Sequence, residues 1–161
     1  MITAEYIRSR LAYQADTGLF YWVDPPKNHP RMKGYVAGGI ASGYVLIKVD
    51  GRKHKAHRLA WLYSYGVWPD GDIDHKNGCP LDNRLSNLRE ATASENQANC
   101  RRYKGKILPK GVRQLPSGCY QARIRIDGVS VSLGTFDTEA EAENAYFHRL
   151  SITHGDFARA D

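Results

Sequence analysis

The sequence predicts an α+β fold, made of small antiparallel sheets and short helices arranged in two modules. Two stretches, 44–56 and 120–133, each show an apolar strand, an Asp-Gly pair and a returning strand. Asp-Gly favours the tight turn of a β-hairpin, and a helical pattern follows each hairpin. Residues 99–109 are polar, basic and broken by Gly and Pro, as linkers usually are. We therefore expect modules at 1–98 and 109–161, joined by the linker 99–108.

The first module is expected to begin with a short helix. Thr3 can cap this helix, and Leu11 lies on its apolar side. The apolar run at 19–22 predicts a buried strand. After the first hairpin, residues 57–63 have a helical pattern, and Gly66 closes the helix as a left-handed C-terminal residue.

The second module is expected to be a three-stranded antiparallel sheet packed on one helix. Thr138 and Glu141 form a capping box for that helix, and Gly155 follows its last turn. So few elements leave a thin core. The strands and the helix are expected at 111–113, 120–126, 129–133 and 139–154. The expected core residues are Ile124, Ile126, Leu133, Phe136, Ala145, Tyr146 and Leu150.

Positive charge is concentrated in one part of the chain. The 161 residues carry a net charge of +6, and residues 97–125 hold eight basic side chains and no carboxylate. A phosphate backbone beside such a segment releases counterions and gains affinity. A solvated linker is the alternative reading for residues 101–106. The basic residues are Arg101, Arg102, Lys104, Lys106, Lys110, Arg113, Arg123 and Arg125.

The cysteines predict neither a disulfide framework nor a zinc site. Cys79, Cys100 and Cys119 are odd in number and far apart, so no pair has the spacing of a metal knuckle. The N-terminus lacks the pattern of a signal peptide, and no apolar run is long enough for a membrane span. We expect a soluble, cytoplasmic protein with no structural zinc.

Residues 72–96 carry the most informative chemistry. A short strand is expected to present Asp74 and His75, a turn-rich loop returns, and a helix with a capping box at Thr92 starts near Ala93. Asn96 lies in the first turns of that helix. A carboxylate, a titratable base and an amide oxygen suit Mg²⁺ or Mn²⁺, which keeps positions for water and phosphate. Ordinary turn formation explains the same residue types equally well when spacing is ignored.

The order of these residues resembles a known nuclease motif. Asp74-His75, then Asn83 to Arg89, then Ser94-Glu95-Asn96 resembles the ββα-metal motif of HNH endonucleases of the phage or mobile-element type. The preceding His57-Arg58-Leu59 fits the same family, so the core motif spans 57–98. This resemblance implies a divalent-metal-dependent DNA endonuclease of the homing type.

The resemblance also implies roles for individual residues. Asp74 and Asn96 would hold one Mg²⁺ or Mn²⁺ ion per active site. His75 would be the general base that deprotonates the attacking water. Asn87 would tie the motif loop together and orient the histidine backbone, and Arg84 would contact a phosphate. One such site would cut one strand, and a double-strand break would need a second protomer or a second visit.

The second module resembles a plant-type DNA-binding domain. Lys110 to Arg113, Tyr120 to Arg125 and Leu133 to Thr138 resemble the Apetala or ethylene-response-factor domain, over about residues 110–158. That family lays its three-stranded sheet into the major groove, where arginine matches the edge of guanine. The residues then expected to contact DNA are Arg84, Arg101, Arg102, Lys104, Lys110, Arg113, Gln121, Arg123 and Arg125.

These observations predict a nuclease whose partner is double-stranded DNA. We expect no membrane contact and no obligatory protein partner, a monomer or weak dimer, and the host cytoplasm as its location if a phage encodes it. A non-catalytic, sequence-specific DNA-binding regulator with a degenerate nuclease fold is the leading alternative. An RNA-binding or ribosome-associated protein fits the charge but leaves the order from Asp74 to Asn96 unexplained.

Overall fold

A computed structural model describes residues 2–99 and 107–159. The chain divides into two compact units, Met1–Glu90 and Ala91–Asp161. Most of the linker expected at 99–108 lies outside the described residues, so the predicted module boundaries remain predictions. No helix in the described ranges is long and apolar enough to cross a membrane.

The first unit begins with helix α1 (Ala4–Arg10), followed by strands β1 (Leu11–Gln14) and β2 (Leu19–Trp22). The Thr3 cap is confirmed, since its hydroxyl accepts the backbone N–H of Tyr6 at 3.2 Å. The placement of Leu11 on the helix is wrong, because Leu11 starts β1 and pairs with Trp22 of β2. Cross-strand pairing ends the helix one turn early, and Leu11 is fully buried on the sheet instead.

The central sheet of the first unit supports a longer helix. Strands β3 (Gly39–Ala41), β4 (Tyr44–Val49) and β5 (Arg52–Lys55) are antiparallel in that order, and helix α2 (Ala56–Tyr65) follows at once. The predicted hairpin is confirmed. Asp50 and Gly51 both have positive φ, 48° and 80°, as a type I′ turn requires. The predicted end of α2 at a left-handed Gly66 is also confirmed.

The motif region forms strand β6 (Asp72–His75), strand β7 (Leu88–Ala91) and helix α3 (Ala93–Asn99). Strands β6 and β7 form a two-stranded sheet. The capping box of α3 is confirmed, because Thr92 N–H donates to Glu95 Oε2 at 2.7 Å and Glu95 N–H donates to Thr92 Oγ1 at 3.2 Å. The strand that presents Asp74 and His75 is therefore followed, as predicted, by a helix starting at Ala93.

The core of the first unit lies between its helices and sheets. Apolar side chains of α1, α2 and strands β1, β2, β4 and β6 form one buried cluster. Its largest fully buried members are Phe20, Ile7, Leu11, Ile47, Leu59, Leu62 and Val49. The cluster reaches Ile73 of β6, which anchors the strand whose end carries Asp74 and His75.

The second unit contains strands β8 (Val112–Gln114), β9 (Tyr120–Ile126) and β10 (Val129–Phe136), and helix α4 (Glu139–His154). The sheet is antiparallel with β9 in the middle, and α4 packs on β9. The capping box between Thr138 and Glu141 is confirmed. An α+β fold with a small three-stranded sheet packed on one helix is therefore confirmed.

The core of the second unit differs from the predicted core in part. Ile124, Tyr146 and Leu150 are buried as predicted. Phe136 and Ala145 were predicted to be core residues and are only half-buried. Ala98 of α3 joins the same core, so α3 packs with the second unit. A helix predicted to belong to the first module thus shares its apolar face with the second.

Candidate active site

Strand β6 ends with two buried polar residues, Asp74 and His75, which are only 4% and 6% exposed. His75 Nε2 lies 3.3 Å from Asn83 Oδ1. The amide orientation of Asn83 is fixed independently, because its Nδ2 donates to Leu81 O at 3.2 Å. The acceptor Oδ1 therefore faces the ring, which places the proton of a neutral imidazole on Nε2 and the lone pair on Nδ1.

The environment of His75 favours its neutral form. Burial lowers the pKa of His75 below its ordinary value, and the hydrogen bond to Asn83 and the charge of Asp74 only partly oppose that effect. A neutral imidazole near pH 7 can accept a proton, as a general base must.

A second histidine packs against the first. The rings of His57 and His75 are 4.9 Å apart between centroids and nearly perpendicular, at 87°. His57 is the second residue of α2 and is 4% exposed. Burial lowers the pKa of His57 to about 3, with a smaller contribution from the neighbouring His75. His57 is therefore neutral at physiological pH and supports His75 by ring packing.

Asp74 is part of a buried ion pair. Arg89 of β7 donates from Nε to Asp74 Oδ2 at 2.8 Å, and both side chains are largely buried. A carboxylate has about four lone-pair positions on its two oxygens, so this bond does not use up its capacity as an acceptor. Arg89 therefore fixes the orientation of the carboxylate that was predicted to hold a metal ion.

Asp74, at the end of β6, is the predicted metal ligand that lies in the first unit. Within residues 2–99 and 107–159, no three His, Cys, Asp or Glu side chains are grouped so that they could hold a metal ion. Mg²⁺ and Mn²⁺ use few protein oxygens and complete their shells with water and phosphate. The buried Asp74 carboxylate at a strand end supplies one such oxygen, so the residues present are compatible with Mg²⁺ or Mn²⁺.

Asn87 cross-links the loop between β6 and β7. Its Oδ1 accepts from Asn77 N–H at 3.0 Å, and its Nδ2 donates to Asn77 Oδ1 at 3.0 Å and to Asp82 O at 2.8 Å. The backbone carbonyl of Asn87 also accepts from Lys76 N–H at 2.9 Å, directly after His75. This geometry fixes the backbone on the C-terminal side of His75.

Arg84 lies in the same loop and is exposed. Its guanidinium forms two hydrogen bonds with the Asp82 carboxylate, at 2.8 and 2.6 Å. The hydrogen bond from Arg84 is the largest cause of the lowered pKa of Asp82, about 2. The residue predicted to contact a phosphate is therefore paired with a carboxylate in this structure.

The hairpin between β1 and β2 supports the loop from behind. The phenol of Tyr13 donates to Asn83 O at 2.7 Å. At Gly18, which has φ of +73°, a Cβ would lie 2.5 Å from Asn83 C and from Arg84 N. Burial raises the pKa of Tyr13 to about 12, so the phenol stays protonated and keeps its donor. The position of Asn83 is therefore fixed by residues far away in the sequence.

Not every predicted site residue lies in the first unit. Asn96 lies in α3 of the second unit, and its predicted role as a metal ligand remains a prediction. Arg101, Arg102 and Lys104 lie outside the described residues. Lys110 donates from Nζ to Gln97 O at 3.0 Å and to Ala98 O at 2.7 Å, which satisfies carbonyls at the end of α3.

The remaining predicted DNA contacts share one face of the sheet in the second unit. Along β9, Gln121, Arg123 and Arg125 alternate with the buried Ala122 and Ile124. Strands β8 to β10 carry no carboxylate. The face opposite the core is therefore basic. Its predicted contact residues are Arg113, Gln121, Arg123 and Arg125, and Arg113 Nε donates to Gln121 Oε1 at 2.9 Å.

Three residues that touch the site were not assigned a role there from the sequence. His57 is part of the motif resemblance but gives no sign that it packs on His75. Asn83 stands beside Arg84 in a run of turn formers, so its contact with His75 was hidden among ordinary turn residues. Arg89 lies between the buried Leu88 and the exposed Glu90 of β7, and pairing of β7 with β6 brings it to Asp74.

Part of this chain is similar to known proteins. Residues 54–98 match the family described as HNH endonuclease. A protein of Acanthamoeba polyphaga mimivirus named as an uncharacterized HNH endonuclease is 32% identical over 119 residues, which is 73% of this chain. The chain spans 62% of the length of that relative. No solved structure matches the chain. Residues 54–98, which contain Asp74, His75 and Asn87, are thus similar to the HNH endonuclease family.

Proposed function

We propose that this protein is a divalent-metal-dependent DNA endonuclease that hydrolyses phosphodiester bonds, with His75 as general base. One observation carries the proposal. His75 and Asp74 end the same strand inside the segment that matches HNH endonucleases, and Nε2 of His75 lies beside the side-chain oxygen of Asn83. A base and a hard oxygen donor are thereby adjacent, as hydrolysis of a phosphodiester requires.

We assign a separate role in the reaction to each of these residues. His75 Nδ1 takes a proton from the water that attacks the phosphorus atom, while Nε2 stays bonded to Asn83. Asp74 and Asn96 would hold one Mg²⁺ or Mn²⁺ ion. A divalent ion, when bound, stabilises negative charge on the phosphoryl oxygens and on the departing 3′ oxygen. Asn87 holds the loop that follows His75, and Arg84 contacts a neighbouring phosphate after leaving Asp82. One such site cuts one strand at a time.

We further propose that the second unit selects the DNA site, as in a homing endonuclease. Its basic sheet face carries Arg113, Gln121, Arg123 and Arg125, and Arg123 and Arg125 are exposed. Arginine on an exposed sheet can form paired hydrogen bonds with guanine in the major groove. The resemblance to the Apetala or ethylene-response-factor domain supports the same assignment. The basic residues Arg101, Arg102 and Lys104 would add contacts to the phosphate backbone.

A non-catalytic DNA-binding regulator is the second candidate. The observation that favours it is the ion pair between Arg89 and Asp74, because a cation would have to share that carboxylate with a guanidinium. Such a protein would bind DNA through the second unit without cutting it. The two candidates therefore differ in cleavage and agree in binding.

The deciding experiment is cleavage of supercoiled DNA. The protein is incubated with plasmid carrying DNA from its own genomic neighbourhood, with Mg²⁺, with Mn²⁺, and with a chelator. We expect conversion to the nicked form with a divalent cation and none with the chelator. His75→Ala should lose this activity, whereas His148→Ala, an exposed histidine of α4, should keep it. Binding without any nicking by the natural protein would favour the regulator.

A further inference from the structure

A cleft in the first unit lies entirely outside the segment 54–98 that matches HNH endonucleases. Its volume is about 730 Å³, within the range of small-molecule sites. All of its lining residues fall between Arg10 and Gly51, before the segment 54–98. The walls come from the end of α1, the end of β2, the loop that follows β2, and the hairpin of β4 and β5.

The charge of the cleft favours an anion. Its lining contains the cations of Arg10, Lys27 and Lys48, against one carboxylate, that of Asp50. Lys27 and Lys48 are exposed, and neither forms an ion pair within the part of the chain that the structure describes. Two ammonium groups at the rim are therefore available to a ligand phosphate.

The wall of the cleft also contains two buried donors whose hydrogen bonds are not made. Trp22 is 5% exposed, and its indole Nε1 has no partner among residues 2–99 and 107–159. The Nε atom of Arg10 is also buried and has no hydrogen-bond partner in these ranges, although Nη1 of Arg10 donates to the carboxylate of Asp24. Buried donors in proteins are nearly always paired. Both nitrogens belong to residues that line the cleft, so their unmade hydrogen bonds point to a ligand beside them.

The rest of the wall is apolar. Met32 and Leu46 line the cleft, and Met32 is 37% exposed. A thioether packs well against the edge or face of an aromatic ring. Cations at the rim and an apolar wall beside them together match a molecule that has a phosphate at one end and a flat ring at the other.

We propose that this cleft binds one nucleotide, with its phosphate at Lys27, Lys48 and Arg10 and its base against Met32 and Leu46. The nucleotide is either free or one unit of a DNA strand, since the chemistry recognised is the same. The site is separate from the proposed cleavage centre, so a chain that cuts no DNA can still bind the nucleotide.

The proposal is tested by calorimetric titration of the full chain carrying His75→Ala, which prevents cleavage of added DNA. The ligands are deoxyadenosine monophosphate, deoxyadenosine, inorganic phosphate and a short single-stranded oligonucleotide. We expect the nucleotide to bind more tightly than either of its parts. Binding of the oligonucleotide that Lys48→Glu weakens assigns the site to a DNA strand, and binding of the monophosphate alone assigns it to a free nucleotide.

Two charge reversals locate the site. Lys48→Glu should weaken the nucleotide about tenfold or more, which corresponds to loss of a charge-assisted contact. Arg149→Glu is the matched control, because Arg149 is an exposed residue of α4 and does not line the cleft. It should weaken binding far less. The indole fluorescence should change on binding in the parent and not in Trp22→Phe.

Four results would overturn the proposal. The first is the absence of any binding heat with the nucleotide and the oligonucleotide. The second is equal weakening by the two charge reversals, which would assign the attraction to overall charge alone. The third is binding of inorganic phosphate as tight as that of the nucleotide, which would show that the base does not contribute to binding. The fourth is binding of deoxyadenosine as tight as that of the nucleotide, which would show that the phosphate does not contribute to binding.

Discussion

The side-chain oxygen of Asn83 lies 3.3 Å from Nε2 of His75, and this contact decides which ring nitrogen of His75 can accept a proton. Asn83 is itself 2% exposed and is held by Tyr13 through its carbonyl. The proposed base is thus oriented by a residue with no direct part in the chemistry. Partners of this kind set the tautomer and the angle of a catalytic histidine.

Asn83→Ala should therefore lower the cleavage rate at saturating DNA by about 10–100-fold, the usual effect of losing such a partner. The apparent KM should change little, because Asn83 does not contact DNA in the proposed mechanism. Asn83→Asp keeps an acceptor beside Nε2 and adds negative charge, which raises the pKa of His75. Its rate should recover in part, and its pH profile should move to higher pH. An unchanged rate in Asn83→Ala would remove Asn83 from the mechanism.

His57 makes stability depend on pH. Its folded pKa is lowered to about 3, against an ordinary value of 6.5. Below pH 6.5 the imidazole of His57 becomes protonated in the unfolded chain. In the folded chain it stays neutral until the pH falls to about 3. The stability due to neutral His57 is therefore complete above pH 6.5 and is lost as pH falls toward 3, at up to about 1.4 kcal/mol per pH unit.

Replacing His57 with Gln should remove the difference in proton uptake between the unfolded and the folded chain at this position. Urea unfolding at several pH values should give a natural protein whose unfolding free energy falls between pH 6.5 and 4, and a variant with a shallower fall. His148→Gln, on the exposed side of α4, should leave the slope unchanged. Identical slopes in the natural protein and His57→Gln would contradict a buried neutral His57.

Gly18 tests the support of the motif loop. Gly18→Ala adds a Cβ at 2.5 Å from the backbone of Asn83 and Arg84, on a residue with φ of +73°. Gly51→Ala has nearly the same φ, +80°, with no atom within 4 Å of the new Cβ, so it measures the backbone strain alone. We expect Gly18→Ala to cost about 1–3 kcal/mol more in unfolding free energy than Gly51→Ala, and to slow cleavage as well. Equal costs would show that the loop moves aside freely.

The ion pair of Arg89 and Asp74 tests the metal assignment. Arg89→Met removes the cation from a largely buried carboxylate, which should lower the unfolding free energy by about 3–5 kcal/mol without metal. Mg²⁺ should restore part of that loss, because binding to the folded state stabilises it. Arg84→Met breaks an exposed pair and should change stability little. If Arg89→Met lost the same unfolding free energy with and without Mg²⁺, the Mg²⁺ ion would not bind at Asp74.

Local signals account for the parts of the fold that the sequence predicted. The caps at Thr3, Thr92 and Thr138 each depend on a partner three residues away, and the Asp-Gly turns depend on neighbours alone. Such features are visible in a short window. Leu11 was misplaced because its pairing with Trp22 outweighed a helical pattern that was equally local.

The support of the site depends on contacts that no short window contains. Tyr13 and Asn83 are separated by 70 positions, and the contact of His57 with His75 requires α2 to pack against the motif. The sequence order of the motif is enough to predict Asp74, His75 and Asn87 as site residues. It does not show which side chains hold them in place, because tertiary packing chooses those from many similar candidates.

Lys110 and Arg123 were both predicted to contact DNA, and the structure separates them. Lys110 donates two hydrogen bonds to the last carbonyls of α3, whereas Arg123 is exposed on the face of β9. Lys110→Met should lower the unfolding free energy by about 1–2 kcal/mol, because carbonyls at a helix end lose a charged donor. Arg123→Ala should leave stability unchanged.

The effects on DNA affinity should be reversed: Arg123→Ala should lose affinity, and Lys110→Met should keep it. Filter binding across a range of salt concentrations should show a clear loss of affinity for Arg123→Ala, with a salt dependence reduced by about one counterion if it contacts a phosphate. Relaxed preference among target sequences with an unchanged salt slope would instead assign Arg123 to a base. A variant Lys110→Met that loses DNA affinity and keeps its stability would contradict the structural role, since the carbonyls of α3 would then not need Lys110.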